Sequence, residues 1–117
     1  MNTTKRIYDE EPKAIEVETD GGAAVAFFVR ENIERTTLPA QEEGGAESEA
    51  WQADEHAVTG ISIVDYGALT SAIVREKYSA DAELAIQRQR DAKPDEFAEY
   101  YAFCEAAKVA AKAALGR

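Results

Sequence analysis

The sequence predicts an α+β fold in which an N-terminal antiparallel sheet of about three strands is followed by three helices packed on it. Two observations support this: apolar residues alternate with period two in the first half of the chain, and from Asp65 onward their period changes to about 3.6. The 117 residues fit a single domain, 1–117. We expect a strand-rich part over 12–58 and a helical part over 65–115.

The first two strands are predicted to form a hairpin. In residues 13–19, apolar Ile15 and Val17 alternate with glutamates, which is typical of a half-buried strand. A turn at Asp20-Gly21-Gly22 follows, because glycine accepts positive φ at no steric cost. The returning strand is predicted over 23–30. Its core-facing residues are expected to be Val25, Phe27 and Val29.

The rest of the N-terminal half is more polar. A third strand is predicted over 50–58, with Trp51 on one face and His56 on the other. Three segments are expected to lack regular structure: a flexible N-terminus at 1–11, an irregular stretch at 31–39, and a mobile acidic loop at 41–49.

The helical part contains clear start and stop signals. Asp65 is expected to cap a helix over 66–78, and Ser79 is expected to cap a second one that ends near Arg90. Pro94, followed by acidic residues, starts a third helix, which Gly116 ends. This third helix is apolar over much of its circumference, so we expect it to be covered on two sides.

Aromatic side chains are the best candidates for partner contact, since aromatic residues are enriched at the energetic centres of protein interfaces. Trp51 opens a predicted strand directly after the acidic loop. On the third helix, Tyr100 and Phe103 are the aromatic residues that we expect to face outward. The alternative is that these aromatic residues belong to the core.

Composition excludes several classes of protein. The chain has 13 Lys and Arg residues and 23 Asp and Glu residues, a net charge of −10, which argues against direct nucleic-acid binding. Residues 1–63 carry a net charge of −9, and residues 64–117 carry −1. The longest apolar run is seven residues, whereas a membrane-spanning helix needs about 20. The N-terminus has no apolar segment of the kind that signal peptides contain.

No recognised pattern of catalytic, cofactor-binding or metal-ligating residues is present. His56 is the only histidine and Cys104 the only cysteine. We expect the first to be exposed or at a sheet edge and the second to be a small buried apolar group. The glycines match neither the dinucleotide-binding nor the phosphate-loop pattern. We therefore predict a protein that is not an enzyme, with no cofactor, no metal and no small-molecule substrate.

Part of the helical half carries a resemblance. Residues 66–86 read YGALTSAIVREKYSADAELAI, and 93–97 read KPDEF. These stretches resemble segments of small proteins encoded by tailed bacteriophages and prophages, and the pieces at 15–17 and 51–55 are similar to their short N-terminal strands. The resemblance implies a setting near tail or other virion genes, but it brings no catalytic residues with it.

Three functional hypotheses remain open. The first is a non-enzymatic phage or prophage protein that acts by protein–protein contact or self-association, in or near virion tail assembly. It would reside in the cytoplasm of a bacterial host or in the virion. The second is an acidic inhibitor that blocks a host nucleic-acid enzyme by charge mimicry. The third is an enzyme with an unfamiliar site.

Overall fold

A computed structural model describes residues 3–39 and 44–116, and it confirms the α+β class and the order of sheet and helices. The sheet has four strands where about three were expected. The strands are β1 (Thr4–Tyr8), β2 (Ile15–Asp20), β3 (Ala23–Leu38) and β4 (Ser48–Ile63). The helices are α1 (Tyr66–Lys77), α2 (Ala80–Arg88) and α3 (Pro94–Leu115).

The extra strand, β1, lies within the segment that we expected to be flexible. The sheet order is β1-β4-β3-β2, and every neighbouring pair is antiparallel. Strand β1 pairs with β4 from Thr4 opposite Glu55 to Tyr8 opposite Trp51. The expectation of a flexible segment is therefore wrong for β1. Its polar sequence gives no local strand signal, and its order comes from pairing with residues nearly 50 positions away.

Strands β3 and β4 are also longer than predicted, with 16 residues each. Residues 31–38, which we expected to be irregular, pair with 48–54 across a bulge between Glu31 and Glu34. Asn32 takes a positive φ of 54° in this bulge, a conformation that asparagine tolerates better than most residues. Of the expected acidic loop, 41–43 lie outside the described residues, and Ser48 and Glu49 belong to β4.

A second irregularity changes which residues of β3 face the core. Glu18 pairs with Ala26 and Thr19 with Ala24, so Val25 is an extra residue on β3. The bulge places Ala24 in the core with the predicted Phe27 and Val29, while Val25 is only half-buried and lies outside the core cluster. The expectation that Val25 faces the core is therefore wrong, because strict alternation does not hold across a bulge.

The helices begin and end at the predicted signals. Asp65 Oδ2 accepts a hydrogen bond from the Ala68 backbone at 2.8 Å, and Ser79 Oγ accepts one from Ala82 at 3.1 Å. Pro94 opens α3, and Gly116 ends it in the left-handed conformation with φ of 71°. The Asp65 and Ser79 side chains and the Gly116 N–H, which donates to the Lys112 carbonyl, pair backbone groups that a helix end otherwise leaves unpaired.

The helices pack on one face of the sheet and form the core with it. Helix α3 contacts β2 and β3, and α1 contacts β3 and β4. The largest fully buried side chains are Phe27, Val29, Leu69 and Ile73. Since β1 and β2 lie at opposite edges of the sheet, the segment that joins them, 9–14, must cross β3 and β4. It does so on the face away from the helices, where it lines an open hollow with Tyr8, Glu16 and Arg30.

Candidate protein-interaction site

One end of the β3–β4 hairpin lies outside the hydrophobic core. The main core cluster receives sheet residues from 15–17, 24–29 and 58–63 and none from 31–38 or 48–54, although Ala50 and Ala53 of β4 are buried outside that cluster. We call these last two segments the hairpin arm. Two strands of 16 residues span about 50 Å at about 3.3 Å per residue, which agrees with the longest dimension of the molecule, 56 Å.

The hairpin arm and the sequence that joins its two strands carry much of the negative charge of the chain. Residues 31–54 contain seven acidic residues and one basic residue, Arg35, and so account for −6 of the net −10. Half of this, −3, belongs to the arm itself, and the other −3 belongs to residues 39–47. Arg35 forms an exposed ion pair with Glu49, and Gln52 donates a hydrogen bond to Glu34. Asn32 donates a hydrogen bond to Asp54 at 2.8 Å, and Glu31 lies 3.7 Å from His56. Of these four contacts, only the one between Arg35 and Glu49 pairs a carboxylate with a Lys or Arg side chain.

Trp51 lies on this arm, on the sheet face away from the helices. It sits opposite Arg35 on β3, whose guanidinium carbon is 5.6 Å from the centre of the indole ring. A cation over an aromatic ring stabilises the arrangement by about 0.5–1 kcal/mol at an exposed site. The ring is half-buried, so the predicted contact residue Trp51 occupies a position at which a partner can reach it.

The other two predicted contact residues lie elsewhere. Tyr100 is 7% exposed and packs edge-on against Tyr78, so the expectation that it faces outward is wrong. Phe103 is half-buried against the same Tyr78 ring, with a centroid distance of 5.7 Å. The buried side of α3 contains Tyr100, Ala107 and Ala111, at spacings of seven and four residues. Tyr101, which follows Tyr100 along the helix, is 56% exposed.

Sequence reasoning missed a cluster around Arg30, to which each strand contributes one side chain. Arg30 Nε donates to Glu55 Oε2 at 3.2 Å and to the Tyr8 hydroxyl at 3.1 Å. Its Nη1 donates to Glu16 Oε1 at 2.7 Å and to the Lys13 carbonyl at 3.2 Å. Burial opposes the charged form of Arg30, but the hydrogen bonds outweigh burial and raise the pKa of its guanidinium.

The rings of Tyr8 and Phe28 flank this guanidinium. Its central carbon is 5.1 Å from the centre of the first ring and 5.3 Å from the centre of the second. Burial, together with the hydrogen bond to Glu55, raises the pKa of the Tyr8 hydroxyl and so makes Tyr8 a poor proton donor to a substrate. The cluster ties four strands together, and we assign it a structural role.

The open hollow beside the cluster has a volume of about 470 Å³. Its other lining residues come from the 9–13 connection, and three of them, at positions 9–11, are acidic. Two of the three guanidinium nitrogens of Arg30, Nε and Nη1, already donate to protein groups. The hollow therefore offers carboxylates and no assembled nucleophile–base pair.

His56 is buried, contrary to the expectation of an exposed or edge residue. Its Nε2 is 3.7 Å from Glu31 Oε1, and its Nδ1 is 3.9 Å from Glu76 Oε1 on α1. Neither nitrogen has a hydrogen-bond partner among the described residues. The two carboxylates face different ring nitrogens, so they do not converge on one ion. Within 3–39 and 44–116, no group of three or more His, Cys, Asp or Glu is arranged to hold a metal.

Comparison with known proteins adds no relative. The chain matches no model of a known protein family, and neither a curated protein nor a solved structure is significantly similar to it. In the part of the chain that the structure describes, no helix has the length and apolar character needed to cross a membrane.

Proposed function

We propose that the chain is a protein-binding protein without catalytic activity, of the kind encoded by tailed phages and prophages, and that its hairpin arm binds a basic surface on a partner protein. The observation that carries this proposal is that residues 31–54 account for six of the ten net negative charges, and that the described arm segments, 31–38 and 48–54, lie outside the core cluster. A basic partner surface complements such a charge and accelerates association.

The physical state of the arm supports the same proposal. Toward its tip the arm contains only two strands, because β1 pairs with β4 no further than Trp51, and an isolated two-stranded hairpin is marginally stable in water. Its acidic side chains also repel one another. A partner that covers one face of the arm stabilises its two strands, and Lys or Arg side chains of that partner reduce the repulsion between the carboxylates. Trp51 offers an aromatic anchor in the same region.

The setting that we propose is the cytoplasm of a bacterial host or the virion, in or near tail assembly. It rests on the resemblance of residues 66–86 to phage and prophage proteins. Inhibition of a host nucleic-acid enzyme by charge mimicry is the second candidate, because a mimic needs the same acidic arm. The identity of the partner distinguishes the two.

Site-specific photo-crosslinking in the bacterium that encodes the protein tests the proposal. A photoreactive residue at Thr37, on the arm, is compared with one at Ser71, an exposed position on α1. We expect Thr37 to crosslink to a defined protein with a basic surface and Ser71 not to. A structural protein of a phage supports the assembly role, and a nucleic-acid enzyme supports mimicry. The absence of any crosslink from Thr37, or identical crosslinks from both sites, contradicts the proposal.

Charge variants test whether the acidic residues act as proposed. With the crosslinked partner purified, Glu34→Gln combined with Glu49→Gln is expected to weaken binding at least fivefold at about 0.15 M salt, where screening leaves only short-range charge interactions. The matched control removes two exposed carboxylates outside the arm, Asp91→Asn with Glu99→Gln, and is expected to have little effect. Equal weakening by both pairs means that overall charge, not the arm, governs binding.

A further inference from the structure

A second surface with different chemistry lies between α2 and α3. Its volume is about 430 Å³, and we call it the α2–α3 groove. The residues that matter for its chemistry are Gln87, Arg90, Phe97, Tyr101, Cys104 and Lys108. None of them belongs to the hairpin arm.

The wall of the groove on α3 is aromatic. The rings of Phe97 and Tyr101 are stacked, with centroids 6.3 Å apart and planes inclined by 28°. Tyr101 is 56% exposed. The groove thus presents one largely exposed aromatic ring, Tyr101, stacked on a second, Phe97, which suits a partner's apolar side chain.

The charge of the groove is opposite to that of the rest of the chain. Its lining residues include two cations, Arg90 and Lys108, and one carboxylate, Glu105. Lys108 Nζ is paired with Glu105 Oε1 at 3.0 Å. Arg90 forms no ion pair with any carboxylate in the described ranges, and its guanidinium carbon lies 5.7 Å from the centre of the Phe97 ring.

An arginine in this position is suited to binding an anion. The guanidinium lies over the Phe97 ring, and no carboxylate of the described residues pairs with it, so its N–H groups are available to a carboxylate of a ligand. A neutral apolar peptide would leave Arg90 without a counter-charge, and a basic peptide would be repelled by it. The complementary ligand therefore combines an acidic group with an apolar side chain.

We propose that the α2–α3 groove binds a short acidic peptide segment of a partner protein, with one aromatic or aliphatic side chain against Phe97 and Tyr101 and a neighbouring carboxylate on Arg90. This site is independent of the hairpin arm and has the opposite charge preference. With both sites, one chain links a basic surface to an acidic segment, which is the behaviour of an adaptor.

Titration of the isotopically labelled full chain with a capped peptide, Asp-Glu-Phe-Glu-Asp, observed by NMR, tests this inference. Saturable shifts are expected for backbone amides that line the groove. Two control peptides, one with Ala in place of Phe and one with Lys in place of every acidic residue, are expected to bind at least tenfold more weakly. The absence of saturable shifts at the groove, or equal binding of the lysine peptide, overturns the proposal.

Two substitutions separate a specific site from general charge attraction. Arg90→Gln and Tyr101→Ala are each expected to weaken peptide binding at least fivefold, and both positions are exposed, so the fold is expected to persist. Arg88→Gln removes an exposed cation of α2 that does not line the groove, and it is expected to leave binding unchanged. Equal weakening by Arg88→Gln overturns the proposal. The arm variant Glu34→Gln with Glu49→Gln is expected to bind the peptide normally, so the two proposals fail separately.

Discussion

Arg30 Nε lies 3.2 Å from Glu55 Oε2, and the two side chains are only 7% and 10% exposed. Burying two charges costs several kcal/mol for each ion, and their attraction repays that cost only when further hydrogen bonds are present. Here Tyr8 donates to the same carboxylate oxygen at 2.5 Å, and Glu16 accepts from the other end of the guanidinium. Arg30 and Glu55 are therefore stabilised by each other and by these further hydrogen bonds. Removing one of the two side chains leaves the charge of the other buried without its counter-charge.

Arg30→Met is expected to lower the free energy of unfolding by about 3–5 kcal/mol, because Glu55 then remains buried and charged. Adding Glu55→Leu to this variant is expected to restore part of the loss. The control Arg35→Met breaks an exposed pair and is expected to cost less than about 1 kcal/mol. Urea denaturation measures all three changes. A double variant that is less stable than Arg30→Met contradicts the account.

The same cluster makes stability depend on acid pH. Burial favours the neutral form of Glu55, but hydrogen bonds from Tyr8 and Arg30 outweigh burial and hold the pKa of the carboxyl below its usual value. A carboxyl whose pKa is lower in the folded state stabilises the fold above its unfolded pKa. That contribution is lost as pH falls toward the folded pKa.

Tyr8→Phe removes one of these hydrogen bonds and is expected to reduce the pH dependence. Between about pH 7 and about pH 3, the variant should lose less unfolding free energy than the wild type, although it starts from a lower value. Urea denaturation at several pH values measures the difference. Tyr66→Phe serves as the control, since Tyr66 makes no hydrogen bond in the cluster. Equal slopes for the wild type and Tyr8→Phe contradict the assigned role.

Sequence patterns located the elements whose signals are local. Asp65, Ser79, Pro94 and Gly116 act within one turn of their own positions, so the helix bounds could be predicted closely. Strand β1 could not be predicted, because its sequence has no amphipathic alternation and its strand conformation depends on pairing with β4, which is distant in the sequence. Bulges could not be predicted either. The extra residue, Val25, can be identified only from the way β3 pairs with β2.

The candidate sites show the same division. The face of β4 on which Trp51 lies could be predicted from the alternation of side chains along a strand. The acidity of residues 31–54 could be predicted by counting their charged side chains. The Arg30 cluster could not be predicted in this way. In the sequence, Tyr8, Glu16 and Glu55 are 22, 14 and 25 residues from Arg30. Tyr8 and Glu55, which contact each other, are 47 residues apart. On α3, Tyr100 and Tyr101 are adjacent and similar, and only packing against α1 and α2 shows which of them is buried.

The positive φ of 71° at Gly60 provides a test of the irregular register in β4. Gly60 lies where the pairing shifts from Ala26 opposite Thr59 to Ala24 opposite Ile63. An added Cβ meets nothing within 4 Å, so any cost of substitution comes from the backbone. Gly60→Ala is expected to cost about 1–2 kcal/mol. Gly60→Asn is expected to cost less, since asparagine tolerates this conformation. Equal costs measured by thermal unfolding contradict the backbone explanation.

His56 offers a test of a buried polar group whose ring nitrogens have no hydrogen-bond partner in 3–39 and 44–116. Replacing a buried unpaired polar group with an apolar one of similar shape is often neutral or stabilising. His56→Phe is therefore expected to keep or raise the free energy of unfolding. His56→Ala is expected to lower it by about 2–4 kcal/mol through cavity formation. If His56→Phe costs as much as His56→Ala, the carboxylates of Glu31 and Glu76 stabilise the imidazole more than its contacts indicate.

The alkaline limit of stability is expected to depend on Tyr100. Burial raises the pKa of its hydroxyl to about 12, and a hydrogen bond with Cys104 acts in the same direction, against the hydrogen bond from Gln87. A group whose pKa is higher in the folded state contributes stability that is complete below its unfolded pKa, near 10 for tyrosine, and is lost as pH rises toward the folded pKa.

Tyr100→Phe removes this ionisable group from the core. The variant is expected to match the wild type near neutral pH, because the bond from Gln87 is long at 3.4 Å. Between about pH 10 and about pH 12 it is expected to lose less unfolding free energy than the wild type. Urea denaturation over this range, with phenolate absorbance followed in parallel, measures the effect. An identical alkaline decline in both proteins means that the Tyr100 hydroxyl ionises without opening the core, and it contradicts the packing described for α3.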